Sequence, residues 1–160
     1  MSKDEWLQVQ NKLSQPYGTV RLTVDGYALA LRVYQVKPLK YVIMVFVNGM
    51  FKSEWMNGEA DECKRFFRPI KRPLYSPAKK KAALKGLNKS ALKIIRDEFP
   101  DLDKTFTFFD PRWPSFDPLK RHLIANNKSI ELAPPTPLEL ELKALEDDVM
   151  VWPEELEAPL

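Results

Sequence analysis

The stretch TVRLTVDGYALALRVYQVKPLKYVIMVFVNG, residues 19 to 49, decides the fold. Val20, Leu22 and Val24 alternate with Thr19, Arg21 and Thr23, the period-two pattern of a strand with one face buried. Asp25-Gly26 follows, a dipeptide suited to a type I′ turn because both central residues need positive φ. Alternation resumes over Tyr27 to Val36, with Leu29, Leu31 and Val33 on one parity. After a Lys37-Pro38 turn, Lys40 to Val47 is almost continuously apolar and reads as a central strand. Asn48-Gly49 is a further hairpin signal, and Met50 to Met56 is read as a fourth strand paired in sequence order.

Outward from this stretch the pattern turns helical. Ser2 caps a helix that runs to Gln15, with Asp4 and Glu5 in its first turn and Trp6, Val9 and Leu13 at helical spacing. Pro16 stops it. Ala60 to Phe67 forms a short helix, and Arg68-Pro-Ile-Lys-Arg-Pro73 an extended basic linker. Ser76-Pro77 opens a helix of continuous periodicity from Ala78 to Phe99, closed by Pro100. A strand at Thr105 to Phe109, a helix at Asp117 to Asn126 and a strand at Lys128 to Leu132 complete the domain. The expected fold is α+β: a four-stranded antiparallel meander, helices packed on one face, and an acidic C-terminal tail. Residues 1–133 form one domain, and 134–160 a mobile tail opened by Pro134, Pro135 and Pro137, loosely held by apolar anchors such as Leu138, Leu140, Leu142 and Leu145, with Trp152 docking.

Charge is strongly segregated. Lys64 to Arg96 holds twelve Lys or Arg and no Asp or Glu, whereas Pro134 to Leu160 holds eight acids and one Lys. The net charge of +3 conceals both blocks. On one continuous helix with Lys81 at zero, Lys85, Arg96, Lys89 and Lys93 fall at about 40°, 60°, 80° and 120°. Ala83, Ile94, Leu87, Ala91, Leu84 and Ile95 occupy the opposite side. Successive ammonium groups stand ~6 Å apart along the axis, close to the spacing of phosphates on one nucleic-acid strand. A wet amphipathic face is the ordinary alternative, but such a face usually mixes signs, because Lys at i,i+4 repels Lys. A second pattern, Ala82, Gly86, Leu87, Leu92 and Ile95, resembles a helix-turn-helix with its break at Gly86 and its second helix beginning near Ser90. Lys81 and Lys85 stand where that motif buries apolar groups, and the continuous helix is the preferred reading.

The expected contact residues are therefore Lys81, Lys85, Lys89, Lys93 and Arg96, with Arg68, Lys71 and Arg72 as an adjacent clamp. Their partner is nucleic acid or a host protein complex. The pattern does not distinguish DNA, RNA and an acidic protein surface, nor does it set oligomeric state. Phe106, Phe108, Phe109, Trp113 and Phe116 could stack bases, although beside prolines such a cluster usually plugs a core.

No catalytic set is evident. Five glycines form no phosphate loop, and Cys63 and His122, the only cysteine and histidine, are read as structural. Asp97, Glu98, Asp101 and Asp103 could hold Mg²⁺ for nuclease chemistry, a minority reading beside a solvated helix end. No metal, cofactor or catalytic residue is assigned. The longest apolar run, the seven residues Tyr41 to Val47, falls well short of the ~20 that span a bilayer. With no signal-like N-terminus, a cytoplasmic protein without membrane contact is expected.

Finally, Phe109-Asp-Pro-Arg-Trp-Pro-Ser-Phe116, Leu119-Lys-Arg-His-Leu-Ile124 and Asn126-Asn-Lys-Ser-Ile-Glu-Leu132 together resemble small accessory proteins of tailed phages and prophages. The resemblance implies a phage context, hence a bacterial host cytoplasm, and no activity. Two functions follow: a non-enzymatic nucleic-acid binder, or a phage inhibitor of a host defence or housekeeping complex that works by nucleic-acid mimicry or competition.

Overall fold

The computed structural model describes residues 1–141 and residue 144. Strands β1 (Thr19–Val24), β2 (Tyr27–Lys37) and β3 (Lys40–Val47) pair antiparallel in sequence order. Asp25 (φ 47°) and Gly26 (φ 86°) both take positive φ in the β1–β2 turn, with Val24 opposite Tyr27. Val20, Leu22, Val24, Leu29, Leu31, Val33, Ile43, Val45 and Val47 are all buried, the parity expected from alternation.

The fourth strand of the expected meander does not form. Asn48 (φ 51°) and Gly49 (φ 77°) make a tight turn, and Val47 and Met50 exchange backbone hydrogen bonds of 3.0 and 3.1 Å. Pairing ends there, and Ser53–Asn57 winds into a 3-10 turn. The reason lies in Phe51 and Trp55, four residues apart, whose rings each lie 6.0 Å from that of Phe67. Trp55 lies in the turn and Phe51 just ahead of it, whereas a continued strand would set them ~13 Å apart, too far for both to reach one ring.

Helix α1 (Lys3–Leu13) has a capping box: Glu5 N–H donates to Ser2 Oγ, and Ser2 N–H to Glu5 Oε2. The Ser2 N–H, and then the Ser2 hydroxyl, hold the Glu5 carboxyl below its ordinary pKa. The remaining elements are α2 (Asp61–Phe66), β4 (Arg68–Pro73), α3 (Pro77–Leu84), α4 (Lys89–Glu98), β5 (Thr105–Asp110), β6 (Arg112–Trp113), α5 (Phe116–Asn126) and β7 (Ile130–Leu132). The principal sheet has the order β6-β3-β2-β1-β7, so the edge assigned from sequence to a fourth strand belongs to β6. β4 and β5 form a separate two-stranded ribbon. Arg68 to Pro73 is thus extended, as read, but is a paired strand rather than a linker.

The core joins the buried strand residues to Trp6, Val9 and Leu13 of α1, Cys63 and Phe66 of α2, Phe67, Trp113, and Phe116, Leu119 and Leu123 of α5. Trp113 satisfies its buried indole by donating Nε1–H to the Phe66 carbonyl at 3.2 Å. Asp25 exceeds its turn role, because its carboxylate accepts from the N–H groups of Lys128 and Ser129 and from Arg65 Nη1 at 2.9 Å. That carboxylate fastens the approach to β7 onto the β1–β2 turn. The two backbone donors, then Arg65, keep its pKa below the usual range.

Candidate nucleic-acid interface

Residues 68–110 leave the core as an arm. At its root the ladder pairs Arg68 with Asp110, a carboxylate only 4% exposed. Arg112 clamps that carboxylate through Nε at 2.9 Å, Nη2 at 3.0 Å and its own N–H at 2.9 Å, with Arg68 Nη2 at 3.9 Å. Burial alone would raise the Asp110 pKa; the hydrogen bonds and charge of Arg112, with Arg68, outweigh it and hold the group ionised.

Beyond the root the ribbon runs Ile70 opposite Phe108, Arg72 opposite Phe106 and Pro73 opposite Thr105. Proline is tolerated because a two-stranded ribbon offers only edges. The Arg72 guanidinium lies 4.5 Å from the Phe108 ring centroid. Phe109, opposite Pro69, packs back against the core.

The ribbon carries α3 and α4 at its far end, and here the preferred sequence reading is overturned. The helix from Ala78 to Phe99 is broken: α3 stops at Leu84 and α4 begins at Lys89. Gly86 takes φ 79° in open space, and the Asn88 side chain caps α4 by accepting from Ala91 N–H at 2.8 Å. A left-handed glycine followed by an N-cap ends one helix and starts another, and these local signals prevail over the shared periodicity. The break falls where the helix-turn-helix pattern placed it. No residue of either helix is buried, however, and Leu87, Leu92 and Ile95 are only partly covered, so the pair lacks that motif's packed core.

The break also divides the basic stripe. Lys81 lies on α3 and Lys85 caps its C-terminus, whereas Lys89, Lys93 and Arg96 share one side of α4 at i, i+4 and i+7. Lys71 and Arg72 are adjacent on β4 and so point to opposite faces of the ribbon. Arg68 stands apart at the root, engaged with Asp110. Lys71, Arg72, Lys81, Lys85, Lys89, Lys93 and Arg96 are all exposed, and none forms an ion pair among the described residues. Lys80 pairs with Asp103 and Lys104 with Asp101, so two arm carboxylates sit on neighbouring lysines. Sequence reasoning singled out neither Tyr75, just beyond β4, nor Lys79 in the first turn of α3, although Lys79 opens the Lys79-Lys80-Lys81 run.

The aromatic cluster splits between core and arm. Trp113 and Phe116 are buried and Phe109 packs on the core, while Phe106 is 47% exposed on the ribbon. The His122 ring lies 5.1 Å from that of Trp113, tilted by 49°; its Nε2 lies 3.1 Å from the Lys64 carbonyl and its Nδ1 lies 3.3 Å from Asn126 Nδ2. A neutral ring donating to Lys64 and accepting from Asn126 satisfies both contacts, and burial lowers its pKa. Cys63 is buried, donates to the Ala60 carbonyl at 2.8 Å, and has its thiol pKa pushed up by burial. Among the described residues no three of His, Cys, Asp and Glu gather as a metal-holding group, and no helix is long and apolar enough to cross a membrane.

The start of the acidic segment is held by polar contacts rather than by its leucines. Thr136 and Glu139 cap residues 137–141, and Arg21 Nη2 reaches Glu139 at 2.6 Å and the Pro134 carbonyl at 3.3 Å. Leu138 and Leu140, expected as anchors, are 64% and 54% exposed. The anchoring expected of Leu142, Leu145 and Trp152 lies outside the described residues. Comparison with protein-family models, curated proteins and solved structures finds no match to this chain.

Proposed function

We propose that this protein binds nucleic acid through the arm, without catalysing a reaction, as a phage-type accessory protein in a bacterial cytoplasm. One observation carries the reading: eight exposed cations on the arm, Lys79 included, have no carboxylate partner among the described residues. Their placement serves the helices only in part: Lys81 and Lys85 at the end of α3 and Arg96 in the last turn of α4 suit the dipole, but Lys89 does not. α4 has Lys89 in its first turn and Asp97 and Glu98 in its last, the reverse of the arrangement a helix dipole favours by ~0.3–1 kcal/mol per charge. Lysines so placed add to the positive potential of the helix N-terminus, which suits a phosphate backbone.

The test is a salt titration of binding to DNA and to RNA. Changing Lys81, Lys85, Lys89 and Lys93 together to Gln weakens binding and lowers the log–log salt slope by ~0.7–0.9 per lost phosphate contact. Thermal stability holds, because like charges are being removed. Unchanged affinity in the variant, or no binding by the parent at low salt, overturns the proposal.

A second reading, a phage inhibitor docking on a host protein complex, draws on Ile94 and Phe99, 57% and 56% exposed at α4. Ile94→Asp separates the two: it abolishes a protein contact made by that face and leaves phosphate binding intact.

A further inference from the structure

A cleft of about 470 Å³ lies where the ribbon meets α3, lined by Arg72, Leu74, Tyr75, Ser76, Lys79 and Phe106 among others. Its volume is within the ~300–1,000 Å³ range that accommodates small organic groups. Two cations face it and no carboxylate lines it. Two aromatic side chains also face it, Tyr75 at 42% and Phe106 at 47% exposed.

These rings differ from the others near the ribbon. Phe108 is covered by the Arg72 guanidinium, and Phe109 packs on the core and against Gly58. Neither Tyr75 nor Phe106 has an aromatic or cationic partner among the described residues. Phe106 sits directly across the ladder from Arg72, whose guanidinium lies over Phe108, the ring two residues along the same strand. Lys79 is in the first turn of α3, and its N–H is already capped by Ser76 Oγ at 3.3 Å, which leaves the ammonium as the group presented to a ligand.

We propose that this cleft seats an unpaired nucleotide, with the base stacked against Phe106 and Tyr75 and its phosphates on Arg72 and Lys79. The inference rests on the nucleic-acid reading of the arm and names the class of substrate, a single strand. In a duplex the faces of interior bases are covered by their neighbours, so a ring on a cleft wall is of use only to a base that is free of its stack. The basic helices beyond the cleft would then follow the backbone of the same strand.

The experiment is a fluorescence-anisotropy titration of the full chain with oligothymidylate and with a duplex of equal length. The parent binds the single strand more tightly. Phe106→Ala and Tyr75→Ala each weaken single-strand binding roughly five- to hundredfold, the equivalent of ~1–3 kcal/mol per stacked base, and leave duplex binding within about twofold. Phe106→Trp retains single-strand affinity, and Phe106→Leu, which keeps bulk without a π face, does not; this pair decides the matter should an alanine variant fail to fold. Equal loss on both probes, or no loss on the single strand, overturns the cleft. If the parent binds both probes alike, depends on the four lysines and ignores Phe106, the arm reading stands and the cleft falls. If the parent binds neither at low salt, both fall.

Discussion

The five-stranded sheet and the arm use their apolar residues in opposite ways. In the sheet, Val24, Leu31, Val45 and Val47 are fully covered, and α1 and α5 bring Val9, Leu119 and Leu123 to the same interior. On the arm, α3 and α4 bury nothing, and Leu74, Tyr75, Ile94, Phe99 and Phe106 remain between 42% and 57% exposed. Isolated helices of this length are marginal in water. The arm therefore depends on the ribbon to hold its ends, and its apolar and basic surface contributes little to folding.

The largest effect tests that contrast directly. Phe66→Ala removes a fully buried ring and lowers stability by ~3–5 kcal/mol in chemical denaturation, whereas Ile94→Ala stays within about 0.5 kcal/mol. Comparable losses would show that the arm has a core of its own. A smaller effect concerns the α3–α4 junction. Gly86→Ala combined with Asn88→Glu removes both the left-handed residue and the cap, and far-UV circular dichroism then gains helix as the two segments fuse. Unchanged helicity would mean that something besides these two residues sets the break.

The smallest effects are electrostatic and belong to the sheet side. Asp25 has a depressed folded-state pKa, so its contribution is present above its unfolded value of ~3.9 and is lost as pH falls through the folded value. His122 is also depressed, so the same sign applies from ~6.5 downward, where the unfolded chain takes up the proton first. Melting temperature followed against pH should fall in two steps, the upper one removed by His122→Gln and the lower one, to which Glu5, Asp110 and Glu139 also contribute, reduced by Asp25→Asn. The lysine variants on the arm should leave this profile in place.

How far sequence reaches differs between the two regions for physical reasons. Period-two burial and the Asp25-Gly26 turn are local, and both were legible, as was the Ser2 cap of α1. The sheet edge was not. β6 is two residues long, and its pairing with Ile43 and Met44 spans a large sequence separation that no periodicity records. β4 concealed itself behind Pro69 and Pro73, and only its partner β5, on the far side of two helices, makes it a strand. On the arm the basic residues were legible as chemistry but not as geometry. A period shared across Gly86 mimicked one helix, while a single dihedral angle and one capping side chain made it two. The bonds from Asp25 to Lys128 and Ser129 had no signal in the sequence, because a residue already explained by its turn invites no second role.

The ladder that joins Arg68 to Asp110 continues through Lys71 opposite Thr107, so the arm leaves and re-enters the molecule on adjacent strands. Neighbouring strands lie only ~4.8 Å apart, a gap that a two-residue turn closes. The arm is therefore detachable. A chain cut at Lys71 and Thr107 and rejoined through Asn-Gly keeps Phe109 and the Arg112 clamp with the body. The excised piece keeps only the Arg72–Phe106 and Pro73–Thr105 pairs of the ladder, so its helices need another antiparallel hairpin to hold their ends.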